Sequence, residues 1–177
     1  SVQDMYFSDY AVTNETVGIP SEAVKTLAEN DAVESVSTTR LSVFMPGAGD
    51  ILPFETDLSV QSHETLQLVN VDEAQLQIYA PNLSAQDKQA LKDGTGCLVK
   101  NPIAFSYGDT TVQQTDLTVG DTIQLGDRTL PVLGLIDTAI TINNDGFTNG
   151  VQLIVNDEIY CSLLGNDSYS EVYPTLQ

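Results

Sequence analysis

The sequence predicts an α+β domain with mixed, mostly antiparallel sheets. Three observations lead there. From Thr122 to Leu125 polar and apolar residues alternate, Gly126-Asp127 makes a tight reversal, and Leu130, Val132 and Leu133 begin the return. That is the pattern of a half-buried hairpin with glycine at a positive-φ position. Three stretches, 20–30, 84–93 and 156–164, carry helix signals instead. The first helix lies between two strand-like runs, which suggests a split β-α-β arrangement.

Taken in order, residues 5–12 are apolar and aromatic with some alternation and read as a first strand, followed by a loop over 14–18. Residues 20–30 form a helix with Ser21 as N-cap, Glu22 in the first turn and Ala23, Val24, Leu27 and Ala28 on one apolar face. Residues 33–45 alternate and make a strand with a break near Ser37. A turn-rich loop spans 46–53. Residues 54–71 read as one long strand or a hairpin. Over 73–79, Ala74, Leu76 and Ile78 alternate with Gln75 and Gln77, which gives another strand, stopped by Pro81. Ser84 with Asp87 opens a short helix, and Gly94 fits its C′ position. Residues 97–100 are a brief buried strand, 102–107 one or two helical turns behind Pro102, and 108–116 a polar, exposed run. The 118–137 hairpin follows. Its corners are assigned to Gly120, Asp121, Gly126, Asp127 and Gly134. Residues 143–150 are a loop. Residues 151–155 are a continuous apolar strand apart from Gln152. Asn156 begins a helix ended by Gly165, and 172–176 are extended.

At 177 residues the chain is a single domain, large enough to bury roughly 70% of its unfolded surface. No apolar run approaches the roughly 20 residues of a membrane helix. The chain opens on Ser1 without an initiator Met or a signal peptide and reads as an excised fragment. Its 25 acids against 6 bases give a net charge of -19. Such a surface repels phosphate backbones, so nucleic-acid binding is excluded. It also repels anionic lipid. It serves solubility, and it would attract cations or basic peptides. Cys97 and Cys161 match no zinc or redox spacing. They are either two buried small hydrophobes or one disulfide closing a long loop in an oxidising compartment.

No reactive centre emerges. His63 is the single histidine and has no second His or Cys nearby, so it is read as an exposed strand or turn residue. No Gly-x-Ser-x-Gly elbow supports a Ser-His-Asp triad. Asn143, Asp145 and Gly146 resemble a calcium loop, but Thr141 and Gln152 occupy its first and last positions, where acids are needed. Gly94 and Gly96 precede a strand rather than opening a helix after one, which is the wrong context for a phosphate loop. Catalytic, metal and cofactor residues are therefore all expected to be absent.

The order of parts carries a resemblance. A strand and a helix lead to Ala32-Val33-Glu34-Ser35-Val36. A short helix precedes Gly94-Thr95-Gly96-Cys97-Leu98-Val99 and Asn101-Pro102-Ile103-Ala104. Then come Val119-Gly120-Asp121-Thr122-Ile123-Gln124-Leu125, Gly134-Leu135-Ile136, and Val151-Gln152-Leu153-Ile154-Val155 with its helix. This resembles the extracytoplasmic domain of ABC-transporter permeases of the MacB/FtsX type over nearly the whole chain. The resemblance implies two lobes: a split β-α-β membrane-proximal lobe from 1–45 with 168–177, and a distal β-rich lobe with short helices from 46–167. In the family a further lobe-forming helix would follow Leu176, and it is expected to be missing from this fragment. The implied role is non-catalytic, at the extracytoplasmic face of the cell membrane. A separate cytoplasmic ATPase would hydrolyse ATP, and this domain would engage substrate or a partner and relay motion. Peptides, antibiotics, lipids and lipoproteins are substrates of the wider family, and the charge points first to cationic antimicrobial peptides. The alternative class is a secreted or surface-anchored β-rich binding module unrelated to transport. A weaker third class is a hydrolase using two close carboxylates.

Overall fold

The computed structural model describes residues 12–13, 18–142 and 150–177. The expected first strand over 5–12 and the loops over 14–18 and 143–150 therefore fall largely outside the described residues. Val12–Thr13 (β1) pairs with the last strand.

The helices form where caps and spacing call for them. Ser21–Ala28 (α1) starts behind Pro20, whose extended backbone makes it the N-cap; Ser21 is the first helical residue and not the cap. Val24 and Leu27, three apart, are half-buried, while Ala23 and Ala28 stay exposed. Ala85–Asp93 (α3) is capped by Ser84, whose hydroxyl accepts from the Asp87 N–H, and ends on Gly94 at φ 77°. Asp157–Leu164 (α4) is capped by Asn156, which accepts from the Ile159 N–H, and ends on Gly165 at φ 74°.

Glu73–Tyr79 is also a helix (α2), against the strand expected from its alternation. The Asp72 carboxylate accepts from the Gln75 N–H at 3.0 Å and starts the turn. Of the alternating apolar residues only Leu76 is buried, and Ile78 is 48% exposed. Period two over seven residues was an accident of composition, and the cap decided.

Eight strands form one mixed sheet. In chain order they are β1, Val33–Phe44 (β2), Thr65–Val71 (β3), Cys97–Lys100 (β4), Thr122–Leu125 (β7), Arg128–Leu135 (β8), Gly150–Ile154 (β9) and Glu171–Leu176 (β10). Across the sheet the order is β1-β10-β2-β3-β9-β4-β8-β7, parallel at β3/β9 and β4/β8 and antiparallel elsewhere. Phe105–Tyr107 (β5) and Thr110–Val112 (β6) make a separate hairpin.

β2 runs unbroken through Ser37. Of the 54–71 stretch only β3 is strand. Residues 51–60 do alternate in burial and run beside β7: Thr56 bridges Leu125, and Gly126 N donates to Glu55 O at 2.7 Å. The helical turns expected at 102–107 do not form. Asn101 holds Leu117 through both amide atoms, each at 2.9 Å, and the chain continues extended into β5. The polar run 108–116 contains β6, and its Thr115 is buried rather than exposed.

The central strands are apolar on both faces because both faces are covered. Leu66 and Leu68 of β3, Cys97 and Val99 of β4, and Val151 and Leu153 of β9 join α4 in one core. Val69, Leu98 and Ile154, pointing the other way, join Leu76 of α2 and Leu91 of α3 in a second.

Candidate functional site

The expected corner residues sit as follows. Gly120 has φ 94°, and Asp121 N donates to Thr118 O at 3.1 Å, so Gly120 holds the third position of a tight turn. The Asp121 carboxylate accepts from the Thr118 N–H at 2.9 Å. Gly126, at φ 65°, and Asp127 close the β7–β8 reversal. Gly134 is not a corner. It lies inside β8, opposite Leu98, where the register with β4 slips. A Cβ there would approach Leu83 to 3.1 Å, so this glycine serves close packing.

Cys97 and Cys161 are free thiols and form no disulfide. Cys97 is a fully buried member of the α4 core, while Cys161 is only half-buried on α4. Burial pushes the Cys97 thiol up to about 12 and that of Cys161 up as well. Cys97 therefore behaves as a small hydrophobe of the core, whereas Cys161, half-buried, is not among the buried core residues. His63 is exposed and meets the Phe105 ring edge-on, centroids 6.3 Å apart. Among the described residues no group of three or more His, Cys, Asp or Glu side chains is placed to hold a metal.

The most connected polar site is one the sequence did not single out. Arg40 of β2 is 4% exposed. Its guanidinium donates to Asn70 Oδ1 at 2.8 Å and twice to Asp167 O at 3.1 and 3.2 Å. It also meets Asp157 Oδ1 at 3.3 Å and stacks on the Tyr169 ring, 3.9 Å from its centroid. Asn70 in turn donates to Val155 O, and Asp167 accepts from the Ser21 hydroxyl. One side chain thus ties β2, β3, the start of α4 and the segment leading into β10, and α1 joins them through Asp167. A planar, five-donor cation is the residue type that can do this. The signal available in sequence was a lone base between Thr39 and Leu41 inside a strand.

Asp72 is a second junction. Besides capping α2 it accepts from the Ser37 hydroxyl at 2.5 Å and the Thr38 N–H at 2.9 Å, fixing α2 to β2. A third is Glu64, 1% exposed, whose Oε1 accepts from the Thr115 N–H at 2.6 Å. It holds the segment after β6 against the start of β3. A groove of about 480 Å³ opens between the α2–α3 connection and β8, floored by Leu98, Leu133 and Ile136. Its two carboxylates are Asp87 and Asp137, and Asp137 is engaged by the Ala139 N–H at 2.9 Å.

No family profile and no curated protein matches the sequence. Solved structures do match in shape. One is the extracellular domain of the noncanonic ABC-type transporter YknZ from Gram-positive bacteria, with TM-score 0.50 and 12% identity over 90% of this chain and 74% of that one. Another is the periplasmic region of MacB from Actinobacillus actinomycetemcomitans, with TM-score 0.47 and 10% identity over 96% of this chain and 68% of that one. Among the described residues no helix is long and apolar enough to cross a membrane. The chain has the mixed α+β fold of an ABC transporter's extracellular domain.

Proposed function

We propose that this chain is the extracytoplasmic, non-catalytic domain of an ABC-transporter permease. In this role it engages an exported substrate or a partner protein and relays motion driven by a separate cytoplasmic ATPase. The observation that carries the reading is the match in fold to the YknZ extracellular domain across 90% of the chain. Two features support the relay. Among the described residues β1, β10, β2 and α1 lie together at one edge of the sheet, in keeping with a membrane-proximal lobe from 1–45 with 168–177. From that edge the Arg40 junction leads into β3 and α4 of the distal lobe, 46–167. The net charge of -19 supports a cationic substrate, with basic peptides first.

The test is topological. In the full-length parent protein carrying Cys161→Ser, a cysteine at the exposed Thr129 should react with a membrane-impermeant maleimide in intact cells. Labelling only after permeabilisation would refute the reading. In cells labelled from outside, crosslinking the domain to itself should change the partner ATPase's turnover. Unchanged turnover would remove the relay role.

A further inference from the structure

The β5–β6 hairpin stands outside the main sheet, and among the described residues its strands pair only with each other. The outer edge of each strand therefore presents N–H and C=O groups without a strand partner. A two-stranded hairpin alone is marginal, and a third strand would stabilise it. Phe105 and Tyr107, two apart, share one face with their register partners Val112 and Thr110. That face is open: Phe105 is 44% exposed, Tyr107 82%, and Ile103, two residues earlier, 46%. His63 braces the Phe105 ring from one side.

The segment that carries the hairpin, and the 45–64 segment that meets it at His63, have one sign of formal charge. Residues 45–64 and 101–127 contain no Lys or Arg, while Glu55, Asp57, Asp109, Asp116 and Asp121 are all exposed there. Asp109 sits in the hairpin turn beside Gly108, at φ 62°. An aromatic face set in uncompensated carboxylates repels a second copy of this chain, whose net charge is -19, and any nucleic acid.

We infer that the β5–β6 hairpin binds a free cationic amphipathic peptide, which adds to it as a third strand with apolar side chains on Phe105 and Tyr107 and basic ones toward Asp109 and Asp116. Backbone pairing supplies the fit, and alternate side chains supply the selection. The aromatic rings accept basic groups over their faces as well. The inference rests on the reading that this domain engages an exported substrate.

The experiment uses the 1–177 chain and three fluorescein-labelled ten-residue peptides, alternating Val with Lys, Ser or Glu. Anisotropy should show the Lys peptide binding, and weakening about tenfold as salt rises from ~0.05 to ~0.5 M. The Ser and Glu peptides should bind at least about tenfold more weakly. Tyr107→Ser should weaken the Lys peptide at least about fivefold with unchanged thermal unfolding. Ile78→Ser, at an exposed apolar residue of α2 away from the hairpin, should change nothing. Equal binding of the Glu peptide, or equal binding by Tyr107→Ser, overturns the docking site. Either result alongside outside labelling of Thr129→Cys leaves the transporter reading standing. Labelling confined to permeabilised cells removes that reading whatever the peptides do.

Discussion

Removing Arg40 separates two explanations of this fold: a sheet held by apolar packing alone, or one that also needs a buried cation. In Arg40→Ala, Asn70 Oδ1 and Asp167 O both lose a charged donor within 3.2 Å, in a site where Arg40 itself is 4% exposed. Bonds from charged donors contribute about 1.5–3 kcal/mol each. The ion pair adds little, because the Asp157 side chain is 81% exposed and solvent screens it. The stacking on Tyr169 adds on the order of 1 kcal/mol. Two such acceptors and the ring contact sum to roughly 4–7 kcal/mol, an upper figure because the site can relax and admit water. Deleting one partner of a buried charged pair loses about 3–5 kcal/mol, which is the loss expected here. For a chain of this size that lowers Tm by on the order of 10 °C. Asp157→Asn should lose no more than about 1 kcal/mol. Arg40→Lys should lose most of what Arg40→Ala loses, since one ammonium cannot span Asn70 and Asp167 together. Urea unfolding of the three variants measures all of this at once. An Arg40→Ala loss under about 1 kcal/mol, or one matched by Asp157→Asn, would refute the reasoning.

Three further outcomes follow from the geometry. Gly120→Val forces a β-branched residue to φ 94° and should destabilise by roughly 1–3 kcal/mol by thermal unfolding, although a Cβ there meets nothing within 4 Å; Gly120→Asn should lose less. Gly47→Ala places its Cβ 2.1 Å from Ser62 O, so the 46–64 segment must shift and the loss should reach roughly 2–3 kcal/mol, against about 1 kcal/mol for Gly49→Ala, where only the φ of 98° is strained. Cys97 deprotonates near 9.0 when unfolded and about 12 when folded. The unfolded chain therefore holds fewer protons between those values, and stability from this group, intact below pH 9, should fall by about 1.4 kcal/mol per pH unit above it. Comparing the pH dependence of unfolding with that of Cys97→Ala isolates the effect, and equal slopes would remove the role of burial.

The parts legible in the sequence are those whose signals are local. Ser84 and Asn156 cap their helices, Gly94 and Gly165 end them, and Gly126 reverses the β7–β8 hairpin, all from side chains within a few residues. The parts that were not legible are decided across the chain. Asp72 makes α2 a helix, yet it also answers to Ser37 and Thr38, more than thirty residues away. The extended run beside β7 makes one bridge, at Thr56, because the Asp57 side chain takes the Gln124 N–H that a strand partner's carbonyl would otherwise take. Gly134 reads as a corner if every glycine of the hairpin is taken as a turn; inside an apolar strand an isolated glycine instead marks a close approach, and here it admits Leu83 beside β8. Arg40 was invisible as a hub because its partners lie at positions 70, 157 and 167.

Under the proposed relay role, the long-range contacts of Arg40 decide how a displacement would pass through the domain. β3 bonds β2 on one side and β9 on the other, so the sheet is continuous from the β1–β10 edge to the far edge at β7. Opening between its two parts would break a ladder of backbone bonds, whereas a displacement carried along the sheet breaks none. β10 meets β2 directly through their backbone ladder, and Asp167 adds a polar contact, since it bonds both Ser21 and Arg40. Arg40 in turn bonds Asn70 on β3, and Asn70 bonds Val155 at the head of α4. The expected behaviour is that of a stiff sheet, with the Arg40 junction coupling β2 to β3 and α4. Hydrogen exchange should then protect the amides of β2, β3 and β9 as one cooperative unit, and Arg40→Ala should lower that protection together across all three.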